Sequence, residues 1–169
     1  QGPYAAVFVD LNRFKLVNDT YGHKTGDELL IAKAKALREA AGEDGFLARL
    51  GGDEFIAVFP LADSEHPTKT AGAIAEALNS PSLIGGVVFS DGASVGLSIA
   101  PDHGATLHEL IRRADIAMYQ AKSRGAKEPV LFDPSFEDAI QERNALEKDL
   151  WNAIVNDEFH IAFQPIVCG

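Results

Sequence analysis

The chain is predicted to fold as an α/β sandwich: a central mixed, largely antiparallel sheet flanked by helices. Three observations predict it. Short apolar runs of strand length alternate with longer segments of helical periodicity. Two strand-like runs are joined by the tight turn Gly51-Gly52-Asp53, which demands an antiparallel pair. The chain has 169 residues with 46% apolar content, enough for one real core and too few for two full domains.

Tyr4 to Leu11 is a nearly continuous apolar run (Ala5, Ala6, Val7, Phe8, Val9) that reaches Asp10, the pattern of a strand covered on both faces. Asp10 is therefore a strand-end carboxylate. Asn12 to Tyr21 reads as a short helix stopped by Gly22, and Gly26 to Ala41 as the first long helix, with Leu29, Leu30, Ala32, Ala34 and Leu37 apolar and Gly42 as its stop. Phe46 to Leu50 and Glu54 to Phe59 form the hairpin. Thr68 to Leu78 is an alanine-rich helix. Val87 to Phe89 and Ala93 to Ala100 read as strands around an Asp91-Gly92 turn, and Thr106 to Lys122 as a helix with Leu107, Leu110, Ile111, Ala114, Ala117 and Met118 inward. This order is close to a ferredoxin-like plan. After Asp133-Pro134, a helix boundary, an amphipathic helix runs to Asn156 with Ile140, Leu146, Leu150, Trp151 and Ile154, and His160 to Val167 alternates like the first strand of a further domain.

Charge excludes one class of partner. The net charge of −10 repels a phosphodiester backbone, so nucleic acid is not expected. A nucleotide remains possible, because clustered carboxylates attract a divalent cation and the cation carries phosphates. Cys168 is the only cysteine, which suits a reducing cytosol. No apolar run reaches the roughly 20 residues of a transmembrane helix, so no membrane contact is expected from this segment. Gln1-Gly2-Pro3 directly before a strand, and Cys168-Gly169 in mid-pattern, read as the ends of a piece of a longer protein.

Two features place acids at the ends of neighbouring strands: Asp10 after the first strand, and Asp53-Glu54 at the hairpin turn. Beside one another, these side chains suit a hard, oxygen-preferring cation such as Mg²⁺, with Mn²⁺ as the alternative. Gly51 and Gly52 would let a bulky ligand approach the backbone. Taken singly, each element has a structural reading. Gly-Gly-Asp makes a good hairpin turn, Asn18-Asp19 a helix end, Asp27 a helix cap, and Lys15 and Lys122 solvated surface lysines. Met118 and Tyr119 read as packing residues, and His23, His66, His103, His108 and His160 show no metal-ligand spacing.

Four motifs in order carry a family resemblance. They are Val9-Asp10-Leu11-Asn12-Arg13-Phe14-Lys15 with Asn18-Asp19 and Tyr21-Gly22-His23 through Gly26-Asp27; Arg49-Leu50-Gly51-Gly52-Asp53-Glu54-Phe55; Ser94 to Ala100; and Arg113 to Lys122. Across most of residues 4 to 132 the chain resembles the GGDEF family of diguanylate cyclases, which have the nucleotidyl-cyclase form of the ferredoxin-like sandwich. The resemblance implies a domain over residues 1–132 that condenses two GTP into cyclic di-GMP with release of pyrophosphate. It implies metal binding by Asp10, Asp53 and the carbonyl of Leu11. It places Glu54 near the ribose, assisting removal of the 3′-hydroxyl proton together with Asp53 as the catalytic acids. Guanine reading falls to Asn18 and Asp27, phosphate contacts to Lys15 and Lys122, and close ligand approach to Gly51 and Gly52. Each domain would be a half-site, so catalysis implies a transient homodimer through the active-site face.

The chain departs from the family at three places. The usual phosphate-binding arginine after the last helix is Ala126, with Arg124 and Lys127 as possible substitutes; losing one charge-assisted phosphate contact costs on the order of 1.5–3 kcal/mol. The window of the product-binding Arg-x-x-Asp site is Gly42-Glu43-Asp44-Gly45, without arginine, so feedback inhibition there is not expected. The family's lead-in segment is absent before Tyr4, which fits a piece cut from a longer chain. Residues 133–169 resemble the first helix and strand of an EAL phosphodiesterase domain, on Leu146 to Leu150 and Phe159 to Val167. A tandem GGDEF–EAL parent follows as an expectation, cytosolic here and anchored, if at all, by a segment elsewhere. Three readings stay open: an active cyclase, a catalytically silent GTP-binding regulator of the downstream EAL domain, and an α/β interaction domain whose acids never meet.

Overall fold

The computed structural model describes residues 3–61 and 67–162. Chain order is β1 (Tyr4–Leu11), α1 (Phe14–Tyr21), α2 (His23–Ala41), β2 (Phe46–Gly51), β3 (Glu54–Pro60), α3 (Pro67–Asn79), β4 (Ser82–Ile84), β5 (Val87–Phe89), β6 (Ala93–Ile99), α4 (Leu107–Arg124), β7 (Val130–Leu131) and α5 (Ser135–Val155). Five strands form one sheet in the order β2-β3-β1-β6-β7, and β4-β5 form a separate two-stranded ribbon. β1 runs antiparallel to both neighbours, while β6 and β7 are parallel, so the sheet is mixed, as the alternation of elements predicts.

The alternation along β1 sorts the two faces. Ala5, Val7, Val9 and Leu11 enter the larger core, with Leu29, Leu30 and Leu37 of α2 and Ile74 and Leu78 of α3. Phe8 points the other way and packs with Ile56, Ala114 and Met118, which places α4 on the opposite face. Asp10 shares the Phe8 face by the same period of two. The strand's last carboxylate is thereby delivered to the α4 side.

Several expectations are corrected. α2 begins at His23, three residues before the expected Gly26, so Asp27 lies within the helix and is not its cap. Asn18 likewise lies inside α1, and Gly22 ends it by donating its N–H to the Asn18 carbonyl at 2.9 Å. β5 does not pair with β6 across Asp91-Gly92; it pairs with β4, a strand too short to stand out in the pattern. Leu107, expected inward, is exposed because α4 starts there and Thr106 serves as its cap. Lys33 occupies a core position that the apolar pattern of α2 passes over.

The chain divides into two compact units, Gln1–Asp133 and Pro134–Gly169. In the second, α5 spans 21 residues and carries Leu146, Leu150, Trp151 and Ile154 at helical spacing. His160 to Ala162 form no strand, and the rest of the strand expected there lies outside the described residues, as do Cys168 and His66. Among the described residues no helix is long and apolar enough to cross a membrane.

Candidate active site

The β2–β3 hairpin closes with Gly51 opposite Glu54, leaving Gly52 and Asp53 as the turn, and a bulge separates Arg49 from Gly51. Gly52 has φ 53°, a left-handed value that glycine adopts without a Cβ penalty. Arg49 fastens the turn: its Nε and Nη2 donate to the Gly52 carbonyl at 3.0 and 2.7 Å. The Asp53 carbonyl accepts the Leu11 N–H at 3.2 Å, which stitches the hairpin tip to the end of β1.

That stitch gathers the acids. Asp10 stands directly opposite Glu54 on one side and Ser94 on the other, and directly opposed residues of an antiparallel pair project to the same face. Asp10 is 7% exposed, and Lys122 Nζ compensates its charge, donating to Oδ1 at 2.8 Å and Oδ2 at 2.9 Å. Asp115 of α4 feels the same charge. Its side chain reaches solvent by surface area, but protein packed around the carboxyl, and then the neighbouring Asp10 carboxylate, push its pKa up.

On the other side of the strand end lie Asn18 and Asp27. A Cβ at Gly26 would strike Asn18 Oδ1, so α1 and α2 approach closely enough to seat the Asn18 amide on the bare backbone of Gly26, next to exposed Asp27. Lys15 is exposed on α1 and, among the described residues, forms no hydrogen bond or ion pair with the acids. Thus Asp10, Leu11, Gly51, Gly52, Asp53, Glu54 and Lys122 are brought together, Asn18 and Asp27 form a second group, and Lys15 stands apart.

Sequence reasoning assigned no role to Asn12, Ser94, Arg13 or Gly26. Asn12 Oδ1 accepts from Ser94 Oγ at 2.9 Å, and its Nδ2 donates to the Asp91 carbonyl at 3.3 Å, joining the β1 and β6 ends. Arg13 takes the left-handed conformation, φ 57°, at the entry to α1, an uncommon state for a residue with a Cβ. Nothing in the sequence pattern marks it. Gly26 did carry a signal: a glycine in the first turns of a helix, where alanine would be more stable, asks for a packing reason.

The residues suit a divalent cation. Among the described residues no three His, Cys, Asp or Glu side chains close on one point. Mg²⁺ does not need three; it takes one or two carboxylates and fills its octahedron with water and phosphate oxygens. A cleft of about 560 Å³ adjoins Lys122 and is lined by Arg13, Ser94, Ala126 and Lys127 among others, a size and polarity fit for a small polar ligand.

Fold and site define a class: mixed-sheet α/β domains with an acidic hairpin tip set against a strand-end aspartate and a basic cleft. The sequence model of the family described as "Diguanylate cyclase, GGDEF domain" matches residues 1–128, and the chain belongs to this family. This is a family of cyclic di-GMP signalling whose members generally use divalent metal ions. The chain is 35% identical to the bifunctional diguanylate cyclase/cyclic di-GMP phosphodiesterase MucR of Pseudomonas aeruginosa over 97% of its own length and 24% of that protein. It is 36% identical to the cyclic di-GMP phosphodiesterase PdeR of Escherichia coli over 94% of its length and 24% of that protein. It therefore spans about a quarter of these relatives. An EAL/GGDEF domain protein of M. capsulatus superposes with a TM-score of 0.73 at 36% identity, covering 79% of this chain and 86% of that one. These likenesses agree with the predicted fold class.

Proposed function

We propose that residues 1–132 form a diguanylate cyclase half-site that binds GTP with Mg²⁺ and condenses two GTP into cyclic di-GMP. The observation that carries this reading is the opposed pair Asp10 and Glu54, joined to the Asp53 turn by the Leu11 N–H. Asp10, Asp53 and the Leu11 carbonyl would hold the cation, whose chemistry is to neutralise phosphate charge and favour the ionised 3′-hydroxyl. Glu54 accepts the 3′-hydroxyl proton. The freed oxygen bonds to the α-phosphorus of the opposing GTP as the bond to pyrophosphate breaks. Asn18 and Asp27 read guanine, the carboxylate accepting from N1–H and the exocyclic amine. Lys122, which donates to both oxygens of Asp10, would contact the phosphates beside that carboxylate, and Lys15 would serve the same anion from α1. Two copies must face each other, so the domain pairs transiently across this face.

A second reading is a GTP-binding regulator that does not turn over. Ala126, which supplies no charge to the cleft, favours it, as does a relative named only for phosphodiesterase activity. Under either reading residues 133–169 open an EAL domain, on the motifs at Leu146–Leu150 and Phe159–Val167, and the segment works in the cytosol where GTP is found.

The test is turnover of GTP by the full chain with Mg²⁺, with protein concentration varied and products separated by chromatography. Cyclic di-GMP and pyrophosphate that vanish in Asp53→Ala and Glu54→Ala establish the cyclase. Bound, unconverted GTP at every concentration establishes the regulator, and no binding rejects both.

A further inference from the structure

Three cations line the cleft beside the acids: Arg13, Lys122 and Lys127. Two are already engaged. Lys122 grips both oxygens of Asp10, and Arg13 lies 3.7 Å from Asp91, itself part of the lining. The Lys127 ammonium has no hydrogen-bond or ion-pair partner among the described residues, and the side chain is exposed. The cleft wall contains Asp91 and the residues that follow the carbonyl end of α4, yet the Lys127 ammonium engages no carboxylate among the described residues.

Its main chain, by contrast, is held. α4 ends at Gly125 in the left-handed conformation, and the Ala126 N–H turns back to the Ala121 carbonyl at 2.9 Å. This turn brings Ala126 and Lys127 to the cleft, while Arg124, left on the last turn of α4, is not part of its lining and has other interactions. The Lys127 carbonyl then accepts from Asn79 Nδ2 at 3.0 Å, and Asn79 Oδ1 accepts the Ala93 N–H at 3.1 Å. Both ends of one amide are thus used to tie the segment after α4 to the start of β6. Asn79 also lines the cleft.

A fixed backbone bearing an uncommitted cation is a partly preorganised anion contact: the main chain is ordered before the ligand arrives, and only the lysine rotamers remain to be fixed. We infer that Lys127 binds the phosphate tail of a nucleoside triphosphate in this cleft and that Asn79 is the residue that positions it. Lys122, beside Asp10, serves the phosphate nearest the acids. Lys127, beyond the turn, serves those farther along. The inference rests on the GTP-binding reading above and adds to it which cation takes up the tail where Ala126 provides none.

The test is calorimetric titration of the full chain, with Mg²⁺, by GTP and separately by GMP. Lys127→Gln is expected to weaken GTP binding about tenfold, the scale of one charge-assisted contact, and to leave GMP binding unchanged. Lys127→Arg restores GTP affinity. Asn79→Ala weakens GTP binding by a smaller factor and adds nothing in the Lys127→Gln background. Wild-type binding of GTP that Lys127→Gln leaves intact, or a loss that falls equally on GMP, overturns the inference while the GTP-binding reading survives. A wild-type chain that binds neither nucleotide overturns that reading and the inference with it. An Asn79→Ala loss that persists in full in the Lys127→Gln background overturns the positioning role.

Discussion

Replacing Lys33 by methionine keeps most of the length and apolar packing of the side chain and removes the ammonium with its charge and donors. Lys33 is 5% exposed, on the core stripe of α2, and its Nζ donates to the carbonyls of Leu78 at 2.7 Å and Ser80 at 2.8 Å, closing the C-terminal end of α3. In the variant the buried Leu78 carbonyl loses its partner, at about 1–3 kcal/mol, while the partly exposed Ser80 carbonyl gains water at small cost. Relief of the buried charge offsets part of this. The net expectation at pH 7 is a destabilisation of about 1–2 kcal/mol, read as a melting temperature lower by roughly 3–8 °C. A pH series adds a second constraint. Burial lowers the Lys33 pKa below its ordinary 10.5, so between the lowered value and 10.5 the unfolded chain holds more protons than the folded one. Stability of the wild type therefore rises with pH across that interval, and a neutral amine still has two N–H donors for its two carbonyls. Methionine has no such term, so the gap between the two proteins widens from pH 7 to pH 10. Chemical denaturation at both pH values measures it. A Lys33→Met protein as stable as the wild type at pH 7 would show that desolvation outweighs the hydrogen bonds, and a gap that does not widen would refute the buried-charge argument.

Gly26→Ala drives a methyl group into the Asn18 amide; overpacking at that helix contact costs about 1–3 kcal/mol and should reduce GTP affinity more than it reduces thermal stability. Unchanged GTP binding with a displaced Asn18 would remove that residue from base reading. Thr106→Ala removes the hydroxyl that accepts the Glu109 N–H at 3.2 Å and should cost about 1 kcal/mol in denaturant titrations at pH 7. The Glu109 carboxyl is held below its ordinary value of 4.5 by the Thr106 N–H and hydroxyl and the Ala105 N–H. Its contribution is therefore fully present above 4.5 and lost as pH falls through the lowered value, an acid limb that Glu109→Gln should flatten.

The elements legible in the sequence are those set by neighbours along the chain. β1, the β2–β3 hairpin, α1, α3 and α4 lie within a few residues of their expected bounds, because apolar period, turn glycines and caps act locally. Asp10 opposite Glu54 was legible for the same reason, since each is a strand-end acid and only the pairing of the strands had to be supplied. The α2 start was missed because His23, Lys24 and Thr25 are polar and add nothing to an apolar stripe, though they continue the helix. Lys33 was missed because a lysine reads as solvated, although the i, i+4 stripe of Leu29, Leu37 and Ala41 passes through it.

By itself, then, the sequence determined the α/β class, the family and the acids that end the central strands, since these follow from local periodicity and contiguous motifs. The tertiary structure decided what depends on residues far apart in the chain: the Lys122 grip on Asp10 across 112 positions, the closure of α3 by Lys33 across 45, the pairing of β5 with β4, and the choice of Lys127 over Arg124 at the cleft. Such contacts are set by how helices pack on the sheet and by where a chain turns after a helix, and no spacing along the sequence encodes the distance between two side chains that packing brings together.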